Sequence, residues 1–308
     1  MALPTAPAAS PVGFVGLGRM GSPIARRLLD RGVPLVVHNR SRPKAEELLA
    51  LGARWAETPA ALAREVDGGV VFTLLTDAKA VRAVLFGRTG LARGARPGTL
   101  VVDLSTVAPA ESRALAARLV ERGIGFVDAP LGGSVAAATG GTLLVYAGGA
   151  AADIDRARPL LSIFARRVEA LGGVGAGTSM KLVNNLLTVA HVALAAEALA
   201  LAGGLGLDRE RVLDLLLDGG GQSRMLADKR EAFSRRDYPA RFTLALAAKD
   251  LGLIDRTARD VGGSVPLAHA LRRWAQAAAR SGLAEKDLSA LLEASIGRFP
   301  AASPAAAP

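Results

Sequence analysis

Short apolar runs alternate with helical patterns in the first half of the chain, and this alternation constrains the fold more than any other feature. Such runs are typical of strands that are buried on both faces of a parallel sheet, with helices between them. The sequence therefore predicts an α/β fold whose first part is a doubly wound parallel sheet. The runs, between residues 12 and 170, are VGFVGL, PLVVH, GVVFTLL, TLVVDL, IGFVDA and TLLVYAG.

The second half of the chain is predicted to be entirely helical. A glycine-rich stretch at residues 172–177 ends the alternation, and a long apolar segment follows it at 178–202. We therefore expect a sheet domain at 12–173, then a long linking helix and an all-α domain at 174–300. Ala/Pro-rich tails at 1–11 and 301–308 are expected to be disordered. Later helices are predicted at 208–217, 244–260, 266–281 and 285–294.

Composition excludes several kinds of chemistry. The 308 residues include no cysteine, which rules out disulfides, thiolate zinc sites, iron–sulfur clusters and cysteine nucleophiles. The three histidines, His38, His191 and His269, are far apart in the sequence. We therefore expect no metal cofactor.

The charge balance suits small anionic ligands better than nucleic acid. The chain has 38 Lys and Arg against 28 Asp and Glu, a net charge of +10, which either kind of partner could exploit. However, acidic residues interrupt the basic ones, and aromatic residues make up only 4% of the chain, too few for a base-stacking platform. An arginine-rich solvated surface is the simpler interpretation, and no nucleic-acid partner is expected.

Neither a secretory signal nor a membrane span is expected. The chain start lacks a basic segment and an apolar core, so a cytoplasmic location is predicted. Residues 182–205 are long enough to cross a bilayer, with Glu197 as their only charge. Asn184, Asn185 and His191 add a polar load that is heavy for a lone span. A helix buried between protein surfaces fits this segment better, and no membrane partner is expected.

The first predicted strand is followed by a G-x-G-x-x-G pattern. In such a pattern the first glycine permits a tight turn, the second lets a pyrophosphate approach the backbone, and the third lets the helix pack on the strand. Free N–H groups at the start of that helix would face the anion. A structural glycine turn is the alternative, but the position at the first strand–helix junction of a Rossmann-type sheet favours dinucleotide binding. The six residues are Gly16, Leu17, Gly18, Arg19, Met20 and Gly21.

The end of the second strand favours NADP(H) over NAD(H). NAD-binding domains usually place a carboxylate at this point, whereas this chain reads His38-Asn39-Arg40-Ser41-Arg42. Arg40 could hold a 2′-phosphate and stack on adenine, with Ser41 and Arg42 as further donors. A solvated loop arginine is the alternative.

Later strand ends should also face ligands, because open α/β sheets bind them at the carboxyl ends of their strands. Leu75-Thr76-Asp77 and Asp103-Leu104-Ser105-Thr106 could line the cofactor crevice, or could equally be helix caps. Gly132-Gly133-Ser134, after Asp128-Ala129-Pro130-Leu131, offers bare backbone N–H groups that could cradle a substrate carboxylate. A plain turn is as compatible with that segment.

The strongest catalytic candidate lies at the start of the long helix. Lys181 is one of few polar groups there, and Asn185, four residues on, shares its face. Partial desolvation should lower the pKa of this lysine and let it act as a general acid. A snorkelling lysine is the alternative, but a position after a flexible glycine run at the domain junction favours function. Lys249-Asp250 is predicted to lie on an exposed, ion-forming helix face.

In this order and spacing, the motifs resemble the β-hydroxyacid dehydrogenase family, which includes 3-hydroxyisobutyrate dehydrogenase, tartronate semialdehyde reductase and the glyoxylate/succinic semialdehyde reductases. The resemblance runs from about residue 12 to 294. It implies an NAD(P)-dependent oxidoreductase that interconverts a short carboxylate-bearing aldehyde and the corresponding hydroxy acid. It rests on the glycine motif, Asp-x-Ser-Thr at 103–106, Asp-Ala-Pro at 128–130, Lys-x-x-Asn-Asn at 181–185, and Phe242 with the Lys-Asp pair at 249–250.

The resemblance also implies roles for single residues. Lys181 would be the proton donor and general acid/base. The implied substrate-binding residues are Thr106, Gly132, Gly133, Ser134, Asn185, Phe242 and Asp250. The cofactor would be NADP(H), with NAD(H) possible, because Asn-Arg-Ser replaces the acidic residue of the NAD-dependent members. The cofactor-binding residues would be Gly16, Leu17, Gly18, Arg19, Met20, Gly21, Asn39, Arg40, Ser41, Leu75, Thr76, Thr106 and Lys249.

One segment departs from the family pattern. The family usually reads Ser-Gly-Gly after Asp-Ala-Pro-Val, whereas this chain reads Gly132-Gly133-Ser134. The backbone donors survive this change, but a hydroxyl is lost from position 132 or displaced to Ser134. The segment therefore bears on the identity of the substrate.

The same residues bear on two alternative functions, and they also predict an oligomeric state. An imine reductase of this fold would reduce C=N, but such relatives generally lack the lysine that Lys181 supplies. A non-catalytic dinucleotide-binding scaffold would need neither Lys181 nor Asn185. The long helix has more apolar surface than one small domain can cover, so a homodimer or higher homo-oligomer is predicted.

Overall fold

A computed structural model describes residues 11–298, so the predicted tails at 1–11 and 301–308 lie outside the described residues apart from Pro11. The described residues divide into two compact units, 11–181 and 182–298. The division falls inside the long helix, directly after Lys181. Each unit is described by itself.

The first unit is built on a six-stranded parallel sheet in the order β3-β2-β1-β4-β5-β6. This order, with helices between the strands, confirms the predicted Rossmann-type fold. Five of the strands coincide with predicted apolar runs. The sixth, β3, has only two residues and is half exposed, so no apolar run marks it. The strands are β1 (Val12–Val15), β2 (Leu35–His38), β3 (Arg54–Trp55), β4 (Val70–Thr73), β5 (Leu100–Asp103) and β6 (Gly125–Asp128).

A second, three-stranded sheet contains β7 (Leu131–Gly132), β8 (Leu143–Ala147) and β9 (Ala165–Ala170), in that order. The run TLLVYAG forms β8, so its expected place in the parallel sheet is wrong. This strand pairs antiparallel with β7 and parallel with β9. Leu143, Val145 and Ala147 are buried, which makes the run as apolar as a strand of the main sheet. An apolar run indicates that a strand is buried, but it does not indicate which strands pair with it.

Both faces of the main sheet are covered, as the apolar runs predict. Phe14, Phe72 and Phe164 lie in one apolar cluster, whereas Val36 and Val71 lie in a second. Phe14 and Val15, which are consecutive on β1, belong to opposite clusters because side chains alternate along a strand. The helices of this unit are α1 (Gly21–Asp30), α2 (Glu46–Ala50), α3 (Pro59–Val66), α4 (Ala78–Phe86), α5 (Pro109–Val120), α6 (Val135–Gly140) and α7 (Ala151–Phe164).

Helix α8 (Ala176–Gly204) passes from the first unit into the second, whose remaining described residues are helical with short connections. The predicted helices at 208–217 and 244–260 are present, and the acidic and basic stretch from Arg224 forms a further helix that was not predicted. The helices after α8 are α9 (Arg209–Asp218), α10 (Arg224–Arg235), α11 (Leu244–Asp260), α12 (Pro266–Ala278) and α13 (Leu291–Ile296).

The helix predicted at 285–294 is wrong in its first half. The Asp287 carboxylate accepts hydrogen bonds from the backbone and the hydroxyl of Ser289, and it caps a 3₁₀ turn at Leu288–Ala290. An aspartate that bonds its own neighbouring backbone competes with helix formation. Regular helix therefore begins only at Leu291.

Among the described residues, α8 is the one helix long and apolar enough to cross a membrane, and 39% of its most apolar stretch is buried. Val189, Val192 and Ala196 are buried, whereas Leu187 and Leu194 are 56% and 61% exposed. The helix thus has a buried face and an exposed apolar face. The prediction that this helix is buried therefore holds for the buried face alone.

Candidate active site

The carboxyl ends of the main-sheet strands are level with one another. Strand register pairs Val15 with His38 and with Thr73, and it pairs Asp103 with both Thr73 and Asp128. Parallel strands that end together place the following loops at one edge of the sheet. The sequence motifs at the ends of β1, β2, β4, β5 and β6 are therefore gathered there.

The glycine loop after β1 fits a pyrophosphate. Gly16 has a φ of 106°, and a Cβ built on it would overlap the Leu74 carbonyl oxygen. A Cβ on Gly21 would overlap the Gly16 carbonyl oxygen, so this glycine lets α1 pack close to the strand. Beside Gly18 nothing lies within 4 Å, which leaves that backbone open to an approaching ligand. The three positions have the three properties that dinucleotide binding requires.

Asn39 connects the glycine loop to the end of β2. Its Oδ1 accepts a hydrogen bond from the Leu17 amide at 3.1 Å, and its Nδ2 donates to the Ser41 carbonyl at 2.9 Å. Next to it, Arg40 and Ser41 are exposed. Arg42 is engaged elsewhere, because its guanidinium lies 3.4 Å from Glu57 and over the ring of Trp55. Arg40 and Arg42 are thus both exposed cations at this strand end, and Arg42 contacts Glu57 and Trp55.

A buried hydrogen-bond network joins β4 and β5. The Asp103 Oδ1 accepts from the Thr73 hydroxyl at 2.8 Å and from the Ser105 hydroxyl at 2.6 Å. The Ser105 hydroxyl oxygen also accepts from the Leu75 amide at 2.9 Å. Leu75 is therefore held in place by side chains that are themselves fully buried, and the half-buried Thr106 follows Ser105 in the chain. Of the predicted residues, Asp103 and Ser105 support the strand ends.

Asp77 is a helix cap, which sequence analysis gave as the alternative to lining the cofactor crevice. Its carboxylate accepts from the Ala80 amide at 2.8 Å, at the N-terminus of α4. Beside it, Thr76 is exposed.

Asp128 fixes the start of α8. Its Oδ1 accepts from the Gly175 amide at 2.7 Å, and its Oδ2 accepts from the Thr178 amide at 2.7 Å and from the Thr178 hydroxyl at 3.1 Å. Gly175 directly precedes α8 and Thr178 lies in its first turn, where backbone N–H groups have no partner within the helix. Asp128, the last residue of β6, thus caps the start of α8 from outside the helix. Desolvation by burial raises its pKa to about 6, against the lowering effect of the hydrogen bonds from Gly175 and Thr178.

Lys181 lies one turn beyond Thr178 on α8. Its Nζ donates a hydrogen bond to the Leu131 carbonyl oxygen at 2.6 Å, and the side chain is half-buried. Leu131 belongs to β7, directly before the glycine turn. The ammonium group therefore lies next to Gly132-Gly133-Ser134, which sequence analysis interprets either as a carboxylate cradle or as a plain turn.

Gly133 makes the turn in that segment. It has a φ of 127°, and it is exposed, whereas Gly132 is buried. The Ser134 hydroxyl oxygen accepts from the Ala137 amide at 3.4 Å and begins the short helix α6. The hydroxyl that sequence analysis considered displaced to position 134 thus serves as a helix cap.

In the second unit, Asn185 and Asp250 form a buried pair. The Asn185 Nδ2 donates to the Asp250 Oδ2 at 2.7 Å, and each residue is 3% exposed. The Lys249 ammonium lies 3.0 Å from the other carboxylate oxygen, and its side chain is half-buried. The expected ion pair is present, but the expected exposed face is wrong for Asp250. Its carboxylate is buried because Asn185, 65 residues earlier, is its partner.

The segment that carries Phe242 is tied to Asp287. The Phe242 amide donates to the Asp287 Oδ2 at 2.9 Å, and the Leu288 amide donates to the Phe242 carbonyl. Lys229 forms an ion pair with the same carboxylate at 2.7 Å. Burial would raise the pKa of Asp287, but the Lys229 ammonium and these amides hold it below its usual value.

Comparisons with known proteins cover nearly the whole chain. Residues 11–173 match the family model of the NAD binding domain of 6-phosphogluconate dehydrogenase. Residues 175–295 match a model described as NAD-binding of NADP-dependent 3-hydroxyisobutyrate dehydrogenase. The chain belongs to the β-hydroxyacid dehydrogenase family. It is an NAD(P)-dependent oxidoreductase with a nicotinamide dinucleotide cofactor.

Two relatives of this family member come from Escherichia coli K12. One is 3-sulfolactaldehyde reductase, 34% identical over 92% of this chain and 94% of the relative. The other is 2-hydroxy-3-oxopropionate reductase, 32% identical over 92% of this chain and 96% of the relative. These relatives are reductases of small aldehydes that carry an acidic group.

Solved structures agree with this assignment. A 3-hydroxyisobutyrate dehydrogenase from Salmonella typhimurium has a TM-score of 0.85 at 32% identity, covering 93% of this chain and all of that chain. The protein Psf3, in complex with NADP⁺ and 2-OPP, has a TM-score of 0.83 at 30% identity, covering 92% of this chain and 99% of that chain.

Two contributions were missed by sequence analysis. The anchoring of α8 by Asp128 was missed because Asp-Ala-Pro was noted only as a family motif, although Thr178 offered a second signal in the glycine-rich stretch. A Cβ built on Gly132 would lie 2.7 Å from the Tyr146 Oη on the neighbouring strand β8. This packing was missed because it depends on which strand lies beside β7. Among residues 11–298, no group of three or more His, Asp or Glu side chains could hold a metal ion.

Proposed function

We propose that this protein is an NADPH-preferring reductase that interconverts a short carboxylate-bearing aldehyde and the corresponding hydroxy acid. The observation that carries the proposal is the position of Lys181, whose ammonium group is held at the carbonyl of Leu131 beside the glycine turn. In a dehydrogenase, an ammonium group at that place can protonate the carbonyl oxygen of the substrate.

Lys181 acts as the general acid in reduction. A bound nicotinamide dinucleotide would supply the hydride for this reduction. Lys181 gives one proton to the oxygen as negative charge develops there, so aldehyde, hydride and proton together make the alcohol. In the oxidation direction the neutral lysine takes this proton back. Asp128 positions Lys181 by fixing the first turn of α8.

The substrate carboxylate is held by the glycine turn. Gly133 and Ser134 present backbone N–H groups there, and Thr106 and Asn185 orient the rest of the molecule. Phe242 supplies an apolar wall, and Asp250 orients the Asn185 amide. Support for an acidic aldehyde comes from the names of the two Escherichia coli relatives.

The NADPH preference rests on Arg40. An exposed guanidinium at the end of β2, where no carboxylate stands, suits a 2′-phosphate. Lys249 and the glycine loop complete the proposed cofactor-binding set. Arg40→Ala should reduce kcat/KM for NADPH about tenfold or more while NADH changes little. Arg166→Ala, at an exposed arginine of the same unit, is the control and should alter neither.

The protein is also proposed to be a homodimer. Val183, Leu187, Leu194 and Leu201 are 57%, 56%, 61% and 49% exposed on α8, at spacings of four and seven residues. Such spacing aligns side chains along one side of a helix, and a second copy of this chain could cover them. Light scattering should give a dimer mass that Leu187→Asp reduces to a monomer mass, and a monomeric wild-type protein would exclude this. The cytoplasmic location and the lack of nucleic-acid and membrane partners stay predictions.

The first experiment measures NADPH and NADH oxidation at 340 nm with succinic semialdehyde, glyoxylate, methylmalonate semialdehyde, tartronate semialdehyde and a cyclic imine. Lys181→Ala should lower kcat on the best aldehyde by about 10²- to 10⁴-fold with NADPH binding unchanged. Lys79→Ala, at an exposed lysine of α4, is the matched control.

The outcomes separate the candidate functions. Lysine-dependent turnover of an aldehyde acid with NADPH supports the proposal. Imine reduction that survives Lys181→Ala indicates an imine reductase instead. Cofactor binding without turnover of any of these compounds would overturn the proposed substrate class.

A further inference from the structure

The connection between α10 and α11 contains Phe242 and is irregular, with a single bridge residue at Thr243. Phe242 is half-buried. Because neither a helix nor a strand ladder holds its backbone, the position of this aromatic residue depends on tertiary contacts. Those contacts come from the segment around Asp287, which lies 45 residues later in the chain.

The Asp287 carboxylate accepts hydrogen bonds on both of its oxygens. Its Oδ2 accepts from the Phe242 amide at 2.9 Å and from the Arg241 amide at 3.3 Å. Its Oδ1 accepts from the Ser289 hydroxyl at 2.7 Å and from the Ser289 amide at 3.1 Å. An asparagine has one acceptor oxygen, so it would turn an NH₂ group toward one of these two sets of donors. The arrangement therefore requires a carboxylate.

Lys229, on α10, supplies the counter-charge. Its Nζ lies 2.7 Å from the Asp287 Oδ1 and 2.8 Å from the Oδ2. Asp287 is 1% exposed, and the Lys229 side chain is 12% exposed. A charge this deeply buried needs a partner to stay ionised. An ionised acceptor also makes stronger hydrogen bonds to the Phe242 and Arg241 amides than a neutral one.

The backbone is also held directly on both sides of this contact. The Leu288 amide donates to the Phe242 carbonyl at 2.8 Å, and Thr243 pairs with Asp287 in an antiparallel bridge. The Thr243 hydroxyl oxygen then caps the start of α11, the helix that carries Asp250. The segment around Asp287 thus determines where Phe242 lies and where α11 begins.

We infer that Asp287 is a positioning residue for the proposed reaction, because its carboxylate fixes the backbone amide of Phe242. The inference rests on the proposed function, in which Phe242 supplies an apolar wall for the substrate. Lys229 contributes by keeping the carboxylate charged. Neither Asp287 nor Lys229 contacts the substrate, and both act through Phe242.

The test is a double-mutant cycle between Asp287 and Phe242, measured as NADPH oxidation with the best aldehyde. Asp287→Asn keeps the size of the side chain and removes one acceptor. It should lower kcat/KM about ten- to a hundredfold, the effect of a small misplacement of a group that shapes the site. Phe242→Ala should lower kcat/KM to a similar degree. In the Phe242→Ala background, Asp287→Asn should cause a further loss of less than about threefold, because the group that it positions is gone.

The control is Asp255→Asn, at another buried carboxylate of the second unit. Asp255 is 8% exposed, and its Oδ2 lies 3.1 Å from the Arg272 guanidinium. This variant should lower the melting temperature, as Asp287→Asn does, but change kcat/KM by less than about threefold. A general loosening of the second unit would lower kcat/KM in both variants alike, and that result would overturn the inference.

Lys229→Met perturbs the same carboxylate without removing it, so it serves if Asp287→Asn does not fold. It should lower kcat/KM by about threefold or more, and this loss should disappear in the Phe242→Ala background. An unchanged kcat/KM, or a loss that persists in that background, would overturn the inference.

The two proposals fail in distinguishable ways. A wild-type enzyme that reduces no acidic aldehyde overturns the proposed function and this inference with it. If Phe242→Ala leaves kcat/KM unchanged, the proposed apolar wall fails, and Asp287 has nothing to position. If Phe242→Ala lowers kcat/KM and Asp287→Asn does not, the inference alone fails. Full additivity of the two losses also overturns it, because Asp287 would then act independently of Phe242.

Discussion

Two buried aspartates contact helix α8, one in each unit, and they hold different parts of it. Asp128 accepts backbone amides of the first turn, so it determines where the helix begins and where Lys181 projects. Asp250 accepts a side-chain amide, so it determines only how Asn185 points. The comparison shows that one residue type can position a whole element or a single group, depending on whether its partner is backbone or side chain.

Loss of Asp128 should have the largest effect. Asp128→Ala leaves two buried amides without an acceptor, each at a cost of about 1–3 kcal/mol. The free energy of unfolding should fall by about 2–4 kcal/mol, and kcat should fall because Lys181 is no longer fixed. Urea unfolding and steady-state kinetics measure the two effects. The control is Asp155→Ala, at an exposed aspartate of the same unit, which should change the free energy of unfolding by less than about 0.5 kcal/mol. Equal stability of the two variants would contradict the role given to Asp128.

Loss of Asp250 should have a smaller and more local effect. Asp250→Ala leaves the Asn185 amide unpaired, and we expect KM for the aldehyde to rise about tenfold with little change in kcat. Asp250→Asn keeps an acceptor for Asn185 and removes the charge beside Lys249, so it should retain most of the binding. If both variants lose binding equally, the ion pair with Lys249 matters more than the hydrogen bond to Asn185.

The most gradual of the expected effects is a pH dependence of stability that comes from Asp128. Its pKa is raised from 3.8 to about 6 in the folded protein, so the folded state binds the proton more tightly than the unfolded state. The bound proton therefore stabilises the folded state. This contribution to the free energy of unfolding is complete below pH 3.8 and is lost as the pH rises through about 6. Its slope cannot exceed about 1.4 kcal/mol per pH unit for one proton.

Urea unfolding between pH 4 and 7 measures this dependence. The difference between the wild-type protein and Asp128→Asn isolates it, because all other carboxylates titrate in both proteins. A difference that does not vary with pH would show that Asp128 has an ordinary pKa.

Local sterics made much of the first unit predictable. The glycine positions and the apolar runs of β1, β2, β4, β5 and β6 depend on neighbours in sequence, and both were predicted. The placement of β8, the burial of Asp250 and the fit of Tyr146 on Gly132 depend on partners that only the folded chain brings near. The two-residue strand β3 was missed because it is half exposed and has no apolar run. The 3₁₀ turn after Asp287 was missed because the hydrogen bonds of one carboxylate outweigh periodicity in a short segment.

The tether between Lys181 and the Leu131 carbonyl persists through a change of charge. An ammonium group has three N–H donors and a neutral amine has two, so either form can keep one directed at that carbonyl. The side chain can release a proton and recover one without changing its rotamer. If Lys181 has the proposed role, the same resting geometry would serve both directions of a reversible reaction.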